Sequence, residues 1–126
     1  MIGETPLHLG AWNGFSGAAQ VLVDAKADVN VKDKGDFTPL HIAVRNGHIG
    51  VLQVLVAAKA ALDIKNKHGL TPLLSATVYG PADMVRVLVG AKADVDIESA
   101  GSLNSLQIAA CGGDSGVIRA LLEEFS

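Results

Sequence analysis

The sequence predicts an all-helical solenoid of stacked helix-turn-helix units, because one motif recurs at a fixed step of 33 residues. The most regular copy begins at Thr38-Pro39-Leu40-His41, and altered copies begin at Thr5, Thr71 and Asn104. An apolar segment with helical spacing follows each copy. Glycines repeat at the same step, at Gly14, Gly47, Gly80 and Gly113. The chain therefore contains four related units, of which the fourth is incomplete.

The first helix of each unit has a recognisable start and end. Thr5, Thr38, Thr71 and Asn104 can each act as an N-cap, because a side-chain oxygen accepts a hydrogen bond from an unpaired amide of the first turn. Proline follows each of the three threonines and fits the first helical position. We expect each of these helices to end at the repeated glycine, where a left-handed backbone costs little.

The second helix of each unit carries an apolar triplet, preceded at a distance of three residues by a further apolar residue. This spacing gives one apolar face of helical period, interrupted by polar residues on the other side. The triplets are Val21-Leu22-Val23, Val54-Leu55-Val56, Val87-Leu88-Val89 and Ala120-Leu121-Leu122. We expect these helices to stack into one continuous core.

Composition limits the classes of function. Apolar residues make up 49% of the chain and charged residues 18%, which favours a folded body over disorder. A net charge of -3 is too small to indicate binding to nucleic acid or a membrane surface. The single cysteine, Cys111, has no partner for an internal disulfide, which favours a reducing compartment inside the cell. We expect an intracellular protein, in the cytoplasm more readily than in the nucleus.

The repeated Thr-Pro-Leu-His followed by alanine, at this period, resembles the ankyrin repeat family over nearly all 126 residues. The resemblance implies one domain over residues 1–126, with hairpin-like loops that project at right angles to the helices. It also implies that His8 and His41 are structural residues that form hydrogen bonds at the loop and helix start. The expected units are approximately 1–32, 33–65, 66–98 and 99–126.

Three lysines depart from the family pattern. Lys26, Lys59 and Lys92 follow the second helices, where ankyrin repeats usually have glycine. A non-glycine residue in a left-handed conformation costs about 1 to 2 kcal/mol. We predict that any of these lysines with a positive φ is a site of local strain, and that glycine there raises stability.

The sequence contains no recognisable catalytic or metal site. His8 and His41 lie in neighbouring units, roughly 8 to 10 Å apart on helix spacing, which is too far for one zinc ion. His48, His68 and Cys111 lack partners at ligand or catalytic spacing. Neither glycine-rich pattern that cradles phosphate is present. We therefore expect no enzyme activity, no cofactor, no metal and no small-molecule substrate.

Aromatic and apolar residues suggest a binding surface. In ankyrin repeats, the loop tips and the exposed side of the first helices line a concave face that binds other proteins. Trp12, Tyr79, Phe37, Leu70 and Val78 map to that face. Large rigid aromatic side chains are good interface anchors. The alternative is that Trp12 only covers the bare N-terminal side of the stack. Ile2, Leu103 and Cys111 extend the same apolar rows.

A basic edge accompanies the apolar rows. Five basic residues against Asp33 and Asp36 give a local charge of about +3 on two adjacent loops and the helix between them. Such an edge favours a partner segment with acidic and hydrophobic residues; the alternative is an ordinary solvated loop. The five are Lys32, Lys34, Arg45, Lys65 and Lys67. The predicted contacts are Trp12, Phe37, Arg45, Leu70, Val78, Tyr79, Lys34 and Lys67.

Two functional hypotheses follow. The first is a non-catalytic module that binds a protein or peptide on its concave face. The second is a spacer or regulatory segment of a longer multidomain protein, since the first unit has no polar helix before it to cover its outer side. The family resemblance adds that Asn30, in Asp28-Val29-Asn30, is a candidate for asparaginyl hydroxylation.

Overall fold

A computed structural model describes residues 4–123 of the chain and shows eight helices within that range. They form four consecutive helix pairs, as the 33-residue period predicts. No strand occurs among the described residues. The helices are α1 (Pro6–Asn13), α2 (Ser16–Asp24), α3 (Pro39–Arg45), α4 (Ile49–Ala57), α5 (Pro72–Tyr79), α6 (Ala82–Gly90), α7 (Ser105–Gly112) and α8 (Ser115–Leu122).

The four predicted N-caps are confirmed. The side chains of Thr5, Thr38, Thr71 and Asn104 each accept a hydrogen bond from the backbone N–H at the third position of the helix. In three of the four, the residue at that third position returns a bond to the cap's own N–H, which completes a capping box. Leu74 occupies the third position of α5, so that helix has only the forward bond.

Three of the four first helices end at a left-handed glycine. Gly14, Gly47 and Gly113 have φ values of 77°, 75° and 73°. Helix α5 also ends at its glycine, Gly80, but the left-handed conformation is wrong there, because Gly80 is extended with φ -95° and ψ 166°. Pro81 follows it, and the proline ring disfavours the helical region for the preceding residue and directs it to an extended conformation.

Three of the four second helices, α2, α4 and α6, are followed by a left-handed lysine, as anticipated from the departure in the family pattern. Lys26, Lys59 and Lys92 have φ values of 67°, 65° and 76°. At the end of α2, Lys26 N–H donates to Val23 and Ala27 N–H donates to Leu22, both at 3.0 Å, which is the Schellman arrangement. The backbone therefore follows a conformation that suits glycine.

The helices stack in two layers. The first helices pack in the order α1, α3, α5 and α7, and the second helices pack in the order α2, α4, α6 and α8. One buried cluster, which runs from Leu7 to Leu121, fills the space between the layers. The predicted continuous core is confirmed. Among residues 4–123, none of the helices has the length and apolarity needed to span a bilayer.

The loops between helix pairs turn back tightly and bond to their neighbours. In each of the ranges 33–37, 66–70 and 99–103, the first backbone N–H donates to the carbonyl of the last residue. Side chains then connect successive loops. Asn30 Oδ1 accepts from the Ala61 N–H at 2.7 Å, and Asp63 Oδ1 accepts from the Asp94 N–H at 3.0 Å.

Candidate partner-binding face

Two rows of equivalent positions define one surface of the stack, which we call the candidate face. The loop row consists of the residue before each N-cap, and the helix row lies near the end of each first helix. The loop row is Glu4, Phe37, Leu70 and Leu103. The helix row is Trp12, Arg45, Val78 and Cys111. Ile2, which the sequence pattern assigned to this face, lies outside the described residues.

Two buried histidines fix the loop row to the preceding repeat. His8 Nε2–H donates to the Phe37 carbonyl at 2.8 Å, and His41 Nε2–H donates to the Leu70 carbonyl at 3.0 Å. In both rings Nδ1 accepts from the backbone N–H of the N-cap threonine. Because a carbonyl can only accept, the neutral ring with its proton on Nε2 satisfies all these bonds. The expected structural role is confirmed, and it extends across the repeat junction.

Burial lowers the pKa of His41 below its ordinary value of 6.5, although its hydrogen bond to the Leu70 carbonyl acts in the opposite direction. A proton on Nδ1 would face the Thr38 N–H that now donates to it. The neutral form of His41 is therefore the one that the junction needs.

The start of the helix row is also fixed across a junction. The Trp12 carbonyl accepts from Asn46 Nδ2 at 3.1 Å and from His48 Nε2–H at 3.0 Å. The Trp12 side chain itself is 45% exposed. Its backbone is therefore held by the second repeat while much of the indole faces solvent.

A small depression brings three of the predicted contacts together. Trp12, Phe37 and Arg45 line a space of about 150 Å³ between the first and second repeats. Phe37 is half-buried, with its ring edge-on to His41 and His68 at centroid distances of 6.0 and 5.9 Å. The remaining lining residues are Glu4, Asp33 and Ile42.

The predicted basic loops are adjacent. Lys67 N–H donates to the Gly35 carbonyl at 2.8 Å, which joins the second loop to the first. Lys34 and Lys67 are both exposed, and neither ammonium forms an ion pair with another described residue. The Asp33 carboxylate accepts from the N–H groups of Gly35 and Phe37, so it supports the turn.

The other predicted contacts lie one repeat further along. Val78 and Tyr79, at the end of α5, are 48% and 64% exposed. Leu70 is half-buried in the loop before α5. None of the three lines the depression around Trp12. The sequence-derived set therefore spans two neighbouring parts of the candidate face.

Glu4 is the lining residue that the sequence pattern did not reveal. Its Oε2 atom is buried and has no hydrogen-bond partner. A signal was present in the sequence, because Glu4 occupies the loop-row position that is Phe37, Leu70 and Leu103 in the other units. Glu4 is therefore the one carboxylate in a row whose other members are apolar.

The remaining residues to consider are the cysteine and the side chains that could bind a metal ion. Cys111 is exposed and carries a free thiol. Among residues 4–123, no group of three or more histidine, cysteine, aspartate or glutamate side chains is arranged to hold a metal ion.

Comparison with known proteins places the chain in a family. A search of curated proteins found no match. The family profile described as "Ankyrin repeats (3 copies)" matches residues 7–99, which is well over half of the chain. The fourth helix pair, α7 and α8, follows the matched range and continues the same stack. With the threonine caps, the histidine bridges and the two helix layers, this match shows that the chain belongs to the ankyrin-repeat family, whose members are generally protein–protein interaction modules.

Proposed function

We propose that the chain is a non-catalytic module, folded as one domain inside the cell, which binds a partner protein or peptide on the candidate face. The observation that supports this most is the meeting of Trp12, Phe37 and Arg45 around one depression between two repeats. Tryptophan and arginine are enriched at binding hot spots, where they bury a large area on a few anchors. Tyr79 and Val78 extend this exposed surface to the third repeat.

The binding mechanism is presentation of a preformed surface. His8, His41 and His48 hold the backbone of Phe37, Leu70 and Trp12 through hydrogen bonds across junctions. A surface whose backbone is already fixed loses less conformational entropy on binding. Affinity then depends on the exposed side chains and not on the ordering of a loop.

The partner segment carries acidic and hydrophobic residues. Lys34 and Lys67 lie on adjacent loops beside the apolar rows, with no ion pair to a described residue. Complementary charge speeds encounter and fixes register, and it is screened by salt. We expect association to slow markedly as the salt concentration rises.

The direct test is capture of partners from cell extract by the parent and by a Trp12→Ala, Arg45→Ala, Tyr79→Ala variant that circular dichroism shows to be folded. The proposal expects partners that the parent retains and the variant loses. A matched control places three alanines on exposed positions of the second helices, at Gln20, Gln53 and Arg119, and should retain them. Equal capture by all three proteins would contradict the proposal.

A second candidate function is a spacer or regulatory segment of a longer protein. The observation in its favour is the apolar outer side of the first repeat, where Leu9, Phe15 and Val21 are 45%, 60% and 67% exposed. In repeat proteins, such a side is normally covered by a further unit or a polar cap. Capture that depends on Phe15 and Val21 instead of Trp12 and Tyr79 would favour this candidate.

A further inference from the structure

The depression between the first and second repeats differs in charge from the rest of the candidate face. Its walls include Trp12 and Phe37, but the loop-row position on the first repeat is Glu4. At the next two junctions that position is Phe37 and Leu70. Among the three repeat junctions, only the one between the first and second repeats therefore has a carboxylate, that of Glu4, at this loop-row position.

The Glu4 carboxylate lacks a donor. Oε2 is buried and without a hydrogen-bond partner. Arg45 lines the same space, yet its guanidinium forms no ion pair or hydrogen bond with a described residue, Glu4 included. A carboxylate that is shielded from water and has no donor is energetically unfavourable, and a cationic donor is its strongest partner.

The other acidic side chain of the depression, Asp33, already uses one carboxylate oxygen to support its loop. Asp33 Oδ1 accepts from the backbone N–H groups of Gly35 and Phe37 at 2.9 and 3.0 Å. Its role is to close the turn that carries Phe37. Glu4 is the acidic side chain of the depression whose carboxylate forms no hydrogen bond or ion pair with a described residue.

The aromatic walls suit a long basic side chain. Trp12 and Phe37 both line the space, and aromatic rings attract a cation placed over the ring face and pack against an aliphatic stem. The space of about 150 Å³ is close to that of an engineered cavity known to hold benzene, so one side chain fits. A lysine or arginine combines an apolar stem with several donors at its tip.

We infer that this depression receives the side chain of one lysine or arginine of the partner segment, whose charged end donates to the Glu4 carboxylate beside Trp12 and Phe37. This inference rests on the proposed function and adds to it one basic residue of the partner, the basic anchor, which binds at a defined place on the candidate face. Acidic residues of the same segment would then meet Arg45 and the lysines of the adjacent loops. The recognised segment is therefore one basic residue among acidic and hydrophobic ones.

The test uses N-acetyl-arginine methylamide as the probe and the indole N–H signal of Trp12 as the reporter in a nuclear magnetic resonance titration. Trp12 is the single tryptophan of the chain, so its signal is unambiguous. We expect saturable binding with a Kd in the millimolar range and weaker or no binding of N-acetyl-glutamine methylamide. Glu4→Gln keeps the size of the side chain and should weaken arginine binding at least fivefold.

Two further variants keep the test sharp. Glu98→Gln makes the same charge change on a remote exposed loop and should leave arginine binding unchanged. Glu4→Leu restores the loop-row pattern of Leu70 and should also abolish arginine binding while the protein stays folded. Equal affinity of the parent and both Glu4 variants, or equal binding of the arginine and glutamine probes, would overturn the inference.

The outcome separates the anchor from the proposed function. If arginine does not bind but the Trp12, Arg45 and Tyr79 variant loses its partners, the basic anchor is wrong and the binding face stands. If arginine binds through Glu4 and that variant keeps every partner, both the binding face and the assignment to a partner side chain are overturned. If the Glu4 variants lose arginine binding and the Trp12, Arg45 and Tyr79 variant loses its partners, the basic anchor and the binding face are both supported.

Discussion

At the scale of single residues, the three left-handed lysines are sites of backbone strain that the fold tolerates. Lys26, Lys59 and Lys92 have φ between 65° and 76°, where a β carbon is strained. The Schellman bonds around Lys26 satisfy the backbone amides at the end of α2. These hydrogen bonds are the ones that a glycine would form there, so the strain comes from the side chain.

Replacing Lys59 by glycine should raise the free energy of unfolding by about 1 kcal/mol, because glycine adopts this conformation without strain. Part of that gain is offset by the greater freedom of glycine in the unfolded chain. Chemical denaturation measures the change. Lys59→Ala keeps a β carbon and should give little of the gain; a glycine variant less stable than the parent would contradict the strain argument.

A second residue-scale prediction concerns acid sensitivity. Burial lowers the pKa of His41 in the folded protein, so the unfolded chain binds a proton more readily. The stability that neutral His41 provides is fully present above its ordinary pKa of 6.5, and is lost as the pH falls through the lower folded value. Denaturant midpoints measured from pH 8 downward should show this decline.

The matched control is His41→Gln. Gln107 already occupies the same position in the fourth repeat, where its side chain accepts from the Asn104 N–H at 2.9 Å. Glutamine can thus keep the capping box without titrating, and its variant should lose less stability than the parent between pH 7 and 5. A decline of equal size in both proteins would assign the acid sensitivity to other groups.

At the scale of elements, side-chain oxygens join one loop to the next. Asn30 Oδ1 accepts from the Ala61 N–H, and the equivalent Asp63 Oδ1 accepts from the Asp94 N–H. The carboxylate and the amide therefore perform the same task at successive junctions. Hydroxylation of Asn30, which the family resemblance implies, stays a prediction.

Asn30→Ala should lower the free energy of unfolding by about 1 kcal/mol, since the Ala61 N–H loses its acceptor. Asn30→Asp is the informative control, because aspartate makes this bond at the next junction and should retain most of the stability. Equal loss in the two variants, measured by urea denaturation, would show that the amide group is needed for another reason.

Local patterns in the sequence predicted the elements well. Caps at Thr5 and Asn104 depend on neighbours within one turn, so the sequence contains all the information that they need. Helix α5 ends at Gly80 as predicted, but the left-handed conformation expected there was wrong, because Pro81 makes Gly80 extended, a local effect that the repeat pattern concealed.

The candidate site was only partly predictable. The sequence assigned Trp12 and Phe37 to one face through the repeat, but the depression also needs Glu4. Whether the Glu4 carboxylate is buried or solvated depends on how two repeats pack, which no local pattern encodes. The same holds for the histidine bridges, whose acceptors lie 29 residues further along the chain.

At the scale of the whole molecule, the outer side of the first repeat differs from the sides that face another repeat. Ile42 in the second repeat is 5% exposed, whereas the equivalent Leu9 in the first is 45% exposed. Phe15 and Val21 extend this apolar outer side, around an open depression of about 500 Å³. Such a surface favours association with another apolar surface.

We therefore expect the purified chain to self-associate as its concentration rises, and a Phe15→Lys, Val21→Lys variant to remain monomeric. Sedimentation velocity over a range of concentrations measures both. Tyr79→Lys changes an exposed apolar residue on the candidate face and should leave the association unchanged. If the unmodified chain stays monomeric at high concentration, the outer side of the first repeat does not drive association, and the argument from its exposed apolar residues is contradicted.

Binding of the partner on the candidate face is tested most directly by amide hydrogen exchange of the protein with and without a captured partner. We expect slower exchange in loops 33–37 and 66–70 and at the ends of α1, α3 and α5, because these segments carry the predicted contacts. Slower exchange confined to the second helices α2, α4, α6 and α8, with those loops unchanged, would contradict binding on this face.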